Sequence, residues 1–480
     1  MKHPTLLLCS LMLLTLPLLA DDVVKTDEPE TRFDMTKPTN PDQTPASAPQ
    51  PAAQGGDTLN ISPEELLKQP ELLERALFSS VLFNNVEAVK VLLPIYLQLP
   101  EQYRRGADAE LLLILSRAMV ARADGRYGEA VRLYREALAR KPEMSIVRLA
   151  LAQSLFEDRQ SEAARDQFVR LRSEPELPDN IRSLCDQYIE AIDKRGGWSV
   201  YGGMNYTRDN NINNTPSRRQ VRHGNGVWTL PEPERAQGIS YQAGASRDWN
   251  LKGRYSLRTA VDVYGKSYWD NHKYDDLNLR ATVGGVYRTA RTETAILPYV
   301  ERRWYGTKPY GRETGLRLEW SRWLTPRTQF QTAAEWGKER YDRRKYLEGY
   351  HVNASATWLF VQNARQYWMA GVDVSRKTAQ DDSDAYFRRG LRVGWTREWG
   401  KGFSTSLTGS VGERRYDGVD ITNVIRKDME YSGSLALWNR RIHLWGITPK
   451  LVAVWQKTRS NHPFYGHQKA NAYLQFNKTF

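Results

Sequence analysis

The sequence predicts a two-part α plus transmembrane β protein, a helical repeat domain followed by a fourteen-stranded antiparallel barrel. Three observations carry this. Charge and aromatic content change abruptly near residue 197. Residues before that point repeat with helical periodicity, and those after it alternate with the two-residue period of strands. Residues 1–197 hold 24 Lys+Arg against 30 Asp+Glu, whereas residues 198–480 hold 45 against 26, with all 15 Trp and 20 of the 25 Tyr. Two regions so different do not share one solvent environment.

Met1–Ala20 has the form of a secretory signal: Lys2 and His3, an apolar run from Leu6 to Leu19, then acids from Asp21. Cys9 lies within that run, so the mature chain is expected to keep only Cys185, which rules out a disulfide scaffold. Residues 21–60 carry Pro29, Pro38, Pro41, Pro45, Pro49 and Pro51 among polar residues. That composition buries too little apolar surface to offset the entropy of ordering, and a disordered leader is expected. Ser62-Pro63-Glu64-Glu65 supplies a cap, a first-turn proline and acids for a helix N-terminus.

Between 61 and 195 the chain repeats. Ala118, Ala130, Tyr134, Ala137 and Pro142 fall at the small, small, aromatic, small and proline positions of a pattern that resembles the tetratricopeptide (TPR) repeat. A shift of 34 residues gives Ala152, Ala164 and Phe168, and a looser copy holds Ala76, Ala88 and Pro100. Such helix pairs stack into an α-solenoid with a concave groove that suits peptide or protein. Met119, Arg122, Gln153 and Glu157 fall on its inner helices and are candidates for client contact, with a solvated helix face as the alternative.

From Trp198 onward, runs at 198–207, 237–249, 253–265, 276–288, 292–304, 312–323, 327–338, 348–360, 365–376, 387–399, 402–413, 428–439, 442–456 and 467–480 can each cross a bilayer as a tilted strand. Short links near Leu251, Ala290, Pro326, Gln362, Gly400 and Arg440 alternate with long ones, the first of them 208–236. Short periplasmic turns alternating with longer external loops mark a bacterial outer-membrane barrel. An even strand number returns the C-terminus to the side of the N-terminus, which places the helical array in the periplasm. No segment is apolar enough for a spanning helix. Arg258, Arg280, Glu301, Arg317, Glu319, Glu335, Arg392 and Glu398 are expected to face the lumen, since a charge on the lipid side costs about 2–4 kcal/mol at mid-membrane. Leu474, Phe476 and the terminal Phe480 resemble the recognition tail of outer-membrane barrels, although Lys478 departs from it.

Other chemistry is missing from the sequence. The basic residues alternate with apolar ones along strands, which argues against nucleic acid. The seven His show no metal-ligand spacing, no nucleophile–base arrangement or phosphate loop is visible, and neither an enzyme nor a cofactor is implied.

The barrel opens with Tyr201-Gly-Gly-Met-Asn-Tyr-Thr-Arg-Asp-Asn-Asn-Ile-Asn-Asn-Thr-Pro216. Together with the signal segment, the leader and the repeats, this opening resembles the surface lipoprotein assembly modulator (Slam) family. The resemblance implies a translocator that moves client lipoproteins, or related secreted haem- and iron-scavenging proteins, from periplasm to cell surface. It implies as partners the client, outer-membrane lipid, periplasmic chaperones and the barrel-assembly machinery. Asp209, Asn210, Asn211, Asn213 and Asn214 are candidates for client contact, with a solvated loop as the alternative. A TPR-barrel polysaccharide exporter and an anion-preferring porin are the rival readings.

Overall fold

The computed structural model describes residues 62–216, 219–223, 226–420, 422–443 and 447–479. The expected signal segment, the leader and Phe480 lie outside them. Eight helices come first: α1 (Pro63–Leu67), α2 (Pro70–Leu82), α3 (Val86–Tyr96), α4 (Ala107–Ala123), α5 (Tyr127–Arg140), α6 (Ser145–Glu157), α7 (Ser161–Arg172) and α8 (Asp179–Arg195). Ser62 opens the series with a reciprocal capping box to Glu65.

The repeat positions explain the stacking. Ala118, Ala130, Ala137, Ala152 and Ala164 are all fully buried, because only a methyl group lets paired helices approach so closely. Tyr134 and Phe168 fill the space between pairs, and Phe168 stacks on Tyr188 of α8 at 4.6 Å. The looser first copy is also looser in space, with Ala76 and Ala88 only half-buried. Cys185 is fully buried in this core, and burial pushes its thiol up to about 11.

Sixteen strands follow. They are β1 (Trp198–Asp209), β2 (Gln220–His223), β3 (Gly226–Thr229), β4 (Ala236–Asn250), β5 (Tyr255–Tyr268), β6 (Asp276–Arg288), β7 (Thr292–Tyr305) and β8 (Lys308–Thr325). The series continues with β9 (Thr328–Tyr341), β10 (Gly349–Asn363), β11 (Gln366–Lys377), β12 (Tyr386–Glu398), β13 (Phe403–Val419), β14 (Ile425–Asn439), β15 (Lys450–Ser460) and β16 (His467–Thr479). Fourteen of them close an antiparallel barrel in which β1 pairs with both β4 and β16. The other two, β2 and β3, form a separate hairpin inside the first long loop.

Alternation along the strands sorts the side chains. Trp336, Val352, Trp358, Leu391 and Val393 are exposed on the outer face, while Gln329, Gln331, Glu335, Ser355 and Thr357 are buried within. Closure satisfies the ladder of every barrel strand without leaving an edge in lipid. No described helix is long and apolar enough to cross a membrane.

Several details differ from the expected strands: the link expected between 304 and 312 is a two-residue turn from Tyr305 to Lys308, and β13 runs on to Val419. The hairpin β2–β3 stands within the long link expected at 208–236. The run expected from 442 begins only at Lys450, because Pro449 has no N–H to donate to a ladder.

Phe168→Ala should remove the inter-repeat stack at about 3–5 kcal/mol. Thermal melting followed by helical circular dichroism should show an early helical transition, while the barrel keeps its heat-modifiable mobility in gels.

Candidate functional site

The helical domain is fixed to one rim of the barrel. Arg195, the last residue of α8, donates to the Phe156 carbonyl at 2.9 Å and lies 3.4 Å over the Phe156 ring. Three residues later β1 begins, and Arg247 of β4 donates to the Gly196 carbonyl at 2.9 Å. Asp158, which closes α6 and is 3 % exposed, takes both Arg254 Nη2 at 2.6 Å and Nε at 3.1 Å. Arg254 lies in the β4–β5 turn and also donates to Tyr287 at 3.2 Å. Removing one partner of so buried a pair leaves a charge with no solvent to compensate it. A polar cavity at this junction is bounded by Arg159, Asp248, Arg288, Arg291 and Glu293.

The four inner-helix candidates are committed elsewhere. Met119 and Gln153 are buried, and Arg122 forms a two-pronged pair with Glu157 at 2.9 and 3.0 Å. That pair ties α4 to α6 beside Tyr134, whose phenol burial pushes up to about 12. These side chains hold repeats together, so the accessible surface of the array comes from other residues. Phe78 and Leu82, one turn apart on α2, are 57 % and 50 % exposed, with Phe83 exposed beside them. Two parallel i, i+4 stripes, Leu73/Leu77 and Phe78/Leu82, were the sequence signal for this second apolar face.

The interior of the barrel is an ion-pair network. Arg258 of β5 meets Asp248 and Glu293 at 2.9 Å, and Glu319 three strands away at 3.7 Å. Arg280 of β6 reaches Glu335 of β9 at 2.7 Å and Glu301 at 3.6 Å. Arg317 binds Glu319 at 2.6 Å, and Arg392 binds Asp373 at 3.2 Å and Thr357 at 2.7 Å. Links between strands that are not neighbours place these groups inside. Glu398 sits lower, at the rim of the helical side, paired with Arg440 at 2.9 Å.

The structure also gathers a cluster that spacing alone does not show. Glu313, Glu339 and His351 come from three successive strands, with ligand atoms within 4.8 Å of one another. His351 Nε2 is 3.5 Å from Glu313 and 3.6 Å from Glu335, and Nδ1 is 3.5 Å from Glu339. Tyr299 and Tyr341 donate to Glu313 and Glu339 respectively.

The Asn-rich opening folds inward over this cluster. Ile212 is buried against Ala236, Tyr268 and Tyr274, and lines the same cavity as Tyr264, Lys377 and His351. Asn213 donates to the Glu232 carbonyl at 2.8 Å and accepts from the Glu234 N–H at 3.0 Å. Asn211 makes the equivalent pair with Thr215, both at 2.8 Å. Lys469 of β16 reaches Asn214 at 2.8 Å and Asp209 at 3.4 Å. The loop is therefore a folded lid, and only Asn210 of the five candidates is exposed.

Two neighbouring features complete the geometry. The ladder joining β1 to β16 runs from Tyr201 opposite Thr479 to Asn205 opposite Gln475, five positions. The other barrel junctions among the described residues run from nine positions to fourteen. Gly203 makes room there for the Asn477 side chain, whose Oδ1 would lie 2.2 Å from an added Cβ and would have to move. Leu474 and Phe476 are exposed on the lipid side of this junction. On the loop side, His462 is buried against Asp420 and Thr422, each at 2.7 Å, which pins the β15–β16 loop to the β13–β14 loop.

A closed fourteen-stranded barrel with an apolar outer face, a charged interior and a helical repeat domain on one rim defines a transmembrane barrel of the bacterial outer-membrane class. Family comparison makes this specific. Residues 198–480 match the surface lipoprotein assembly modifier family model, and residues 59–168 match the model for the N-terminal TPR repeats of the same family. The chain belongs to the surface lipoprotein assembly modifier family. It is 38 % identical to surface lipoprotein assembly modifier 1 of Haemophilus influenzae, covering 93 % of this chain and 92 % of that one. The Pasteurella multocida surface lipoprotein assembly modifier is 36 % identical over 96 % and 94 %. A hemophilin secretion modulator of Acinetobacter baumannii is 24 % identical over 86 % of each chain.

Asn213→Ala should remove two half-buried hydrogen bonds that close the loop, at about 0.5–1.5 kcal/mol each. In planar bilayers the variant should open more often or to higher conductance than the parent; identical traces would contradict a closing role for the loop. Burial holds the His462 imidazole below its ordinary value, against the pull of Asp420. The packed loops thus favour the neutral ring, and their stability is complete above the ordinary histidine pKa and declines as pH falls below it. Hydrogen exchange at Asp420 and Thr422–Val424, corrected for intrinsic rate, should quicken between about pH 7.5 and about pH 5, and His462→Gln should flatten that dependence.

Proposed function

We propose that this protein carries client lipoproteins, or related haem-binding proteins, from the periplasm to the cell surface across the outer membrane. The observation that carries the reading is the mounting of the repeat domain. Its α8 runs into β1, and β1 is the strand beside the weakest junction of the barrel. A client held by the array therefore meets the barrel at that junction first. The names of the relatives support the type of client, and the exposed Phe78, Leu82 and Phe83 give an apolar surface suited to an unfolded or partly folded chain.

In this reading the helical domain lies in the periplasm and the lid faces outside. The client docks on the array and passes between β1 and β16 rather than through the interior, which ion pairs and the inward loop fill. Lumen residues such as Arg258 and Glu319 hold the barrel round while that junction opens. Asn210 and the rest of the lid meet the client as it emerges. Periplasmic chaperones and the barrel-assembly machinery deliver the chain to its membrane, the latter reading Leu474, Phe476 and Phe480. Transfer has no nucleotide to draw on, so folding of the client outside makes it one-way.

The test is surface display of a client lipoprotein in cells with the parent protein, without it, or with Asp158→Ala/Arg254→Ala. Protease shaving of intact cells should show display only with the parent, and a loss of about tenfold or more in the double variant, as the severed buried pair frees the array. Equal display without the protein would sink the proposal; full display by the double variant would remove the fixed mounting from it.

A further inference from the structure

On the outer face of the barrel, near its lid end, three arginines stand side by side. Arg302 of β7 is directly opposite Arg312 of β8, and Arg312 is directly opposite Arg340 of β9. Directly opposed residues hold their Cβ atoms about 4.5–5.5 Å apart, and like charges so placed destabilise a sheet. Arg302 has one acidic partner, Asp342 at 3.1 Å. Arg312 and Arg340 are exposed and have no carboxylate within ion-pair distance among the described residues; the nearby Glu348 is tied to Lys345 at 2.9 Å. Lys338, the next outward residue below Arg340, lies 5.2 Å over Tyr350 and adds a fourth cation.

The depth of the row decides what it meets. Below Val300, Thr314 and Lys338, the next outward positions, the outer face turns apolar, with Leu318, Trp336 and Val352 exposed to lipid. Trp304 flanks the row on the lid side, 5.9 Å from Arg302. A row between an apolar band and an aromatic girdle sits at headgroup depth. Two carboxylates, Asp342 and Glu348, face these four cations, and Glu348 is shared with Lys345 and the Tyr341 N–H, so the row keeps an excess of positive charge. Guanidinium forks bind phosphate oxygens in a bidentate manner, and three forks in register present a continuous donor surface to such groups.

We propose that Arg302, Arg312 and Arg340 form a binding site for the phosphorylated glycolipid of the outer leaflet, holding its phosphate groups against the barrel wall. The identity of the leaflet rests on the orientation proposed above, with the lid facing outside. The site anchors β7–β9, separated from the weak β1–β16 junction by β4–β6 on one side and β10–β15 on the other. One wall is thereby held in the membrane while the other is free to part.

The experiment is native mass spectrometry of the full-length protein in detergent, titrated with bis-phosphorylated lipid A, dephosphorylated lipid A or phosphatidylglycerol. The parent should retain bis-phosphorylated lipid A, and the Arg302→Gln/Arg312→Gln/Arg340→Gln variant should lose about tenfold or more in affinity. Heat-modifiable mobility in gels confirms that the variant barrel is folded. Equal retention by the variant, or equal retention of the dephosphorylated lipid, would overturn the site. Equal retention of phosphatidylglycerol would overturn the glycolipid as its occupant. The orientation is tested separately, by labelling Asn210→Cys with an impermeant maleimide. Labelling in intact cells supports the outer leaflet, whereas labelling only after lysis overturns that leaflet whatever the row binds.

Discussion

Backbone hydrogen bonding in lipid is the constraint on which this structure depends. An N–H or C=O exposed to hydrocarbon costs several kcal/mol, so a sheet that crosses a membrane must close on itself. Closure forces β16 back onto β1, and with it the C-terminal strand onto the strand that leaves the helical domain. That one junction joins the two ends of the sheet, and among the described residues it is where the ladder is shortest. Closure also forces a choice of face on each side chain. The charges that the alternation turns inward must satisfy one another, and they do so across the lumen, as in Arg280 with Glu335.

The two domains use charge in different ways. In the array, buried pairs such as Arg122–Glu157 are local staples between packed helices. At the rim, Asp158–Arg254 joins elements far apart in sequence and fixes how the array sits on the barrel. In the lumen, pairs bridge strands that share no ladder and resist collapse or ovalisation of the wall. On the lipid face, the arginine row on β7–β9 has too few acids, and its charges are left for a group outside the chain. The same residue type thus serves cohesion, mounting, shape and recognition, according to what faces it.

Much of this was legible in the sequence, and the reasons are physical. A two-residue period fixes the face of every strand residue, so Trp336, Val352 and Leu391 could be turned outward and Arg258 and Glu335 inward from alternation alone. Ala118, Ala152, Tyr134 and Phe168 marked the helix pairs because close packing admits few residue types at those positions. What could not be read depends on register and on distant partners. Glu313, Glu339 and His351 meet only because three strands align, and Arg302, Arg312 and Arg340 form a row for the same reason. The burial of Asn213 and Asn214 and the half-burial of Asn211 likewise depend on Thr215, Glu232 and Glu234 closing the loop back on itself. An Asn-rich run says that a strand ends; it does not say where the loop then goes.

The central claim, that clients pass between β1 and β16, is tested most directly by locking that junction. Met204 and Phe476 are register partners on the lipid face. Directly opposed strand positions lie within the Cα separation a disulfide spans. Met204→Cys/Phe476→Cys, built on Cys185→Ser, should form a bond under oxidation and abolish client display, and a reductant should restore it. The same lock between Trp336 and Val352, partners on β9 and β10, should leave display intact. Full display with the β1–β16 lock oxidised would contradict the account.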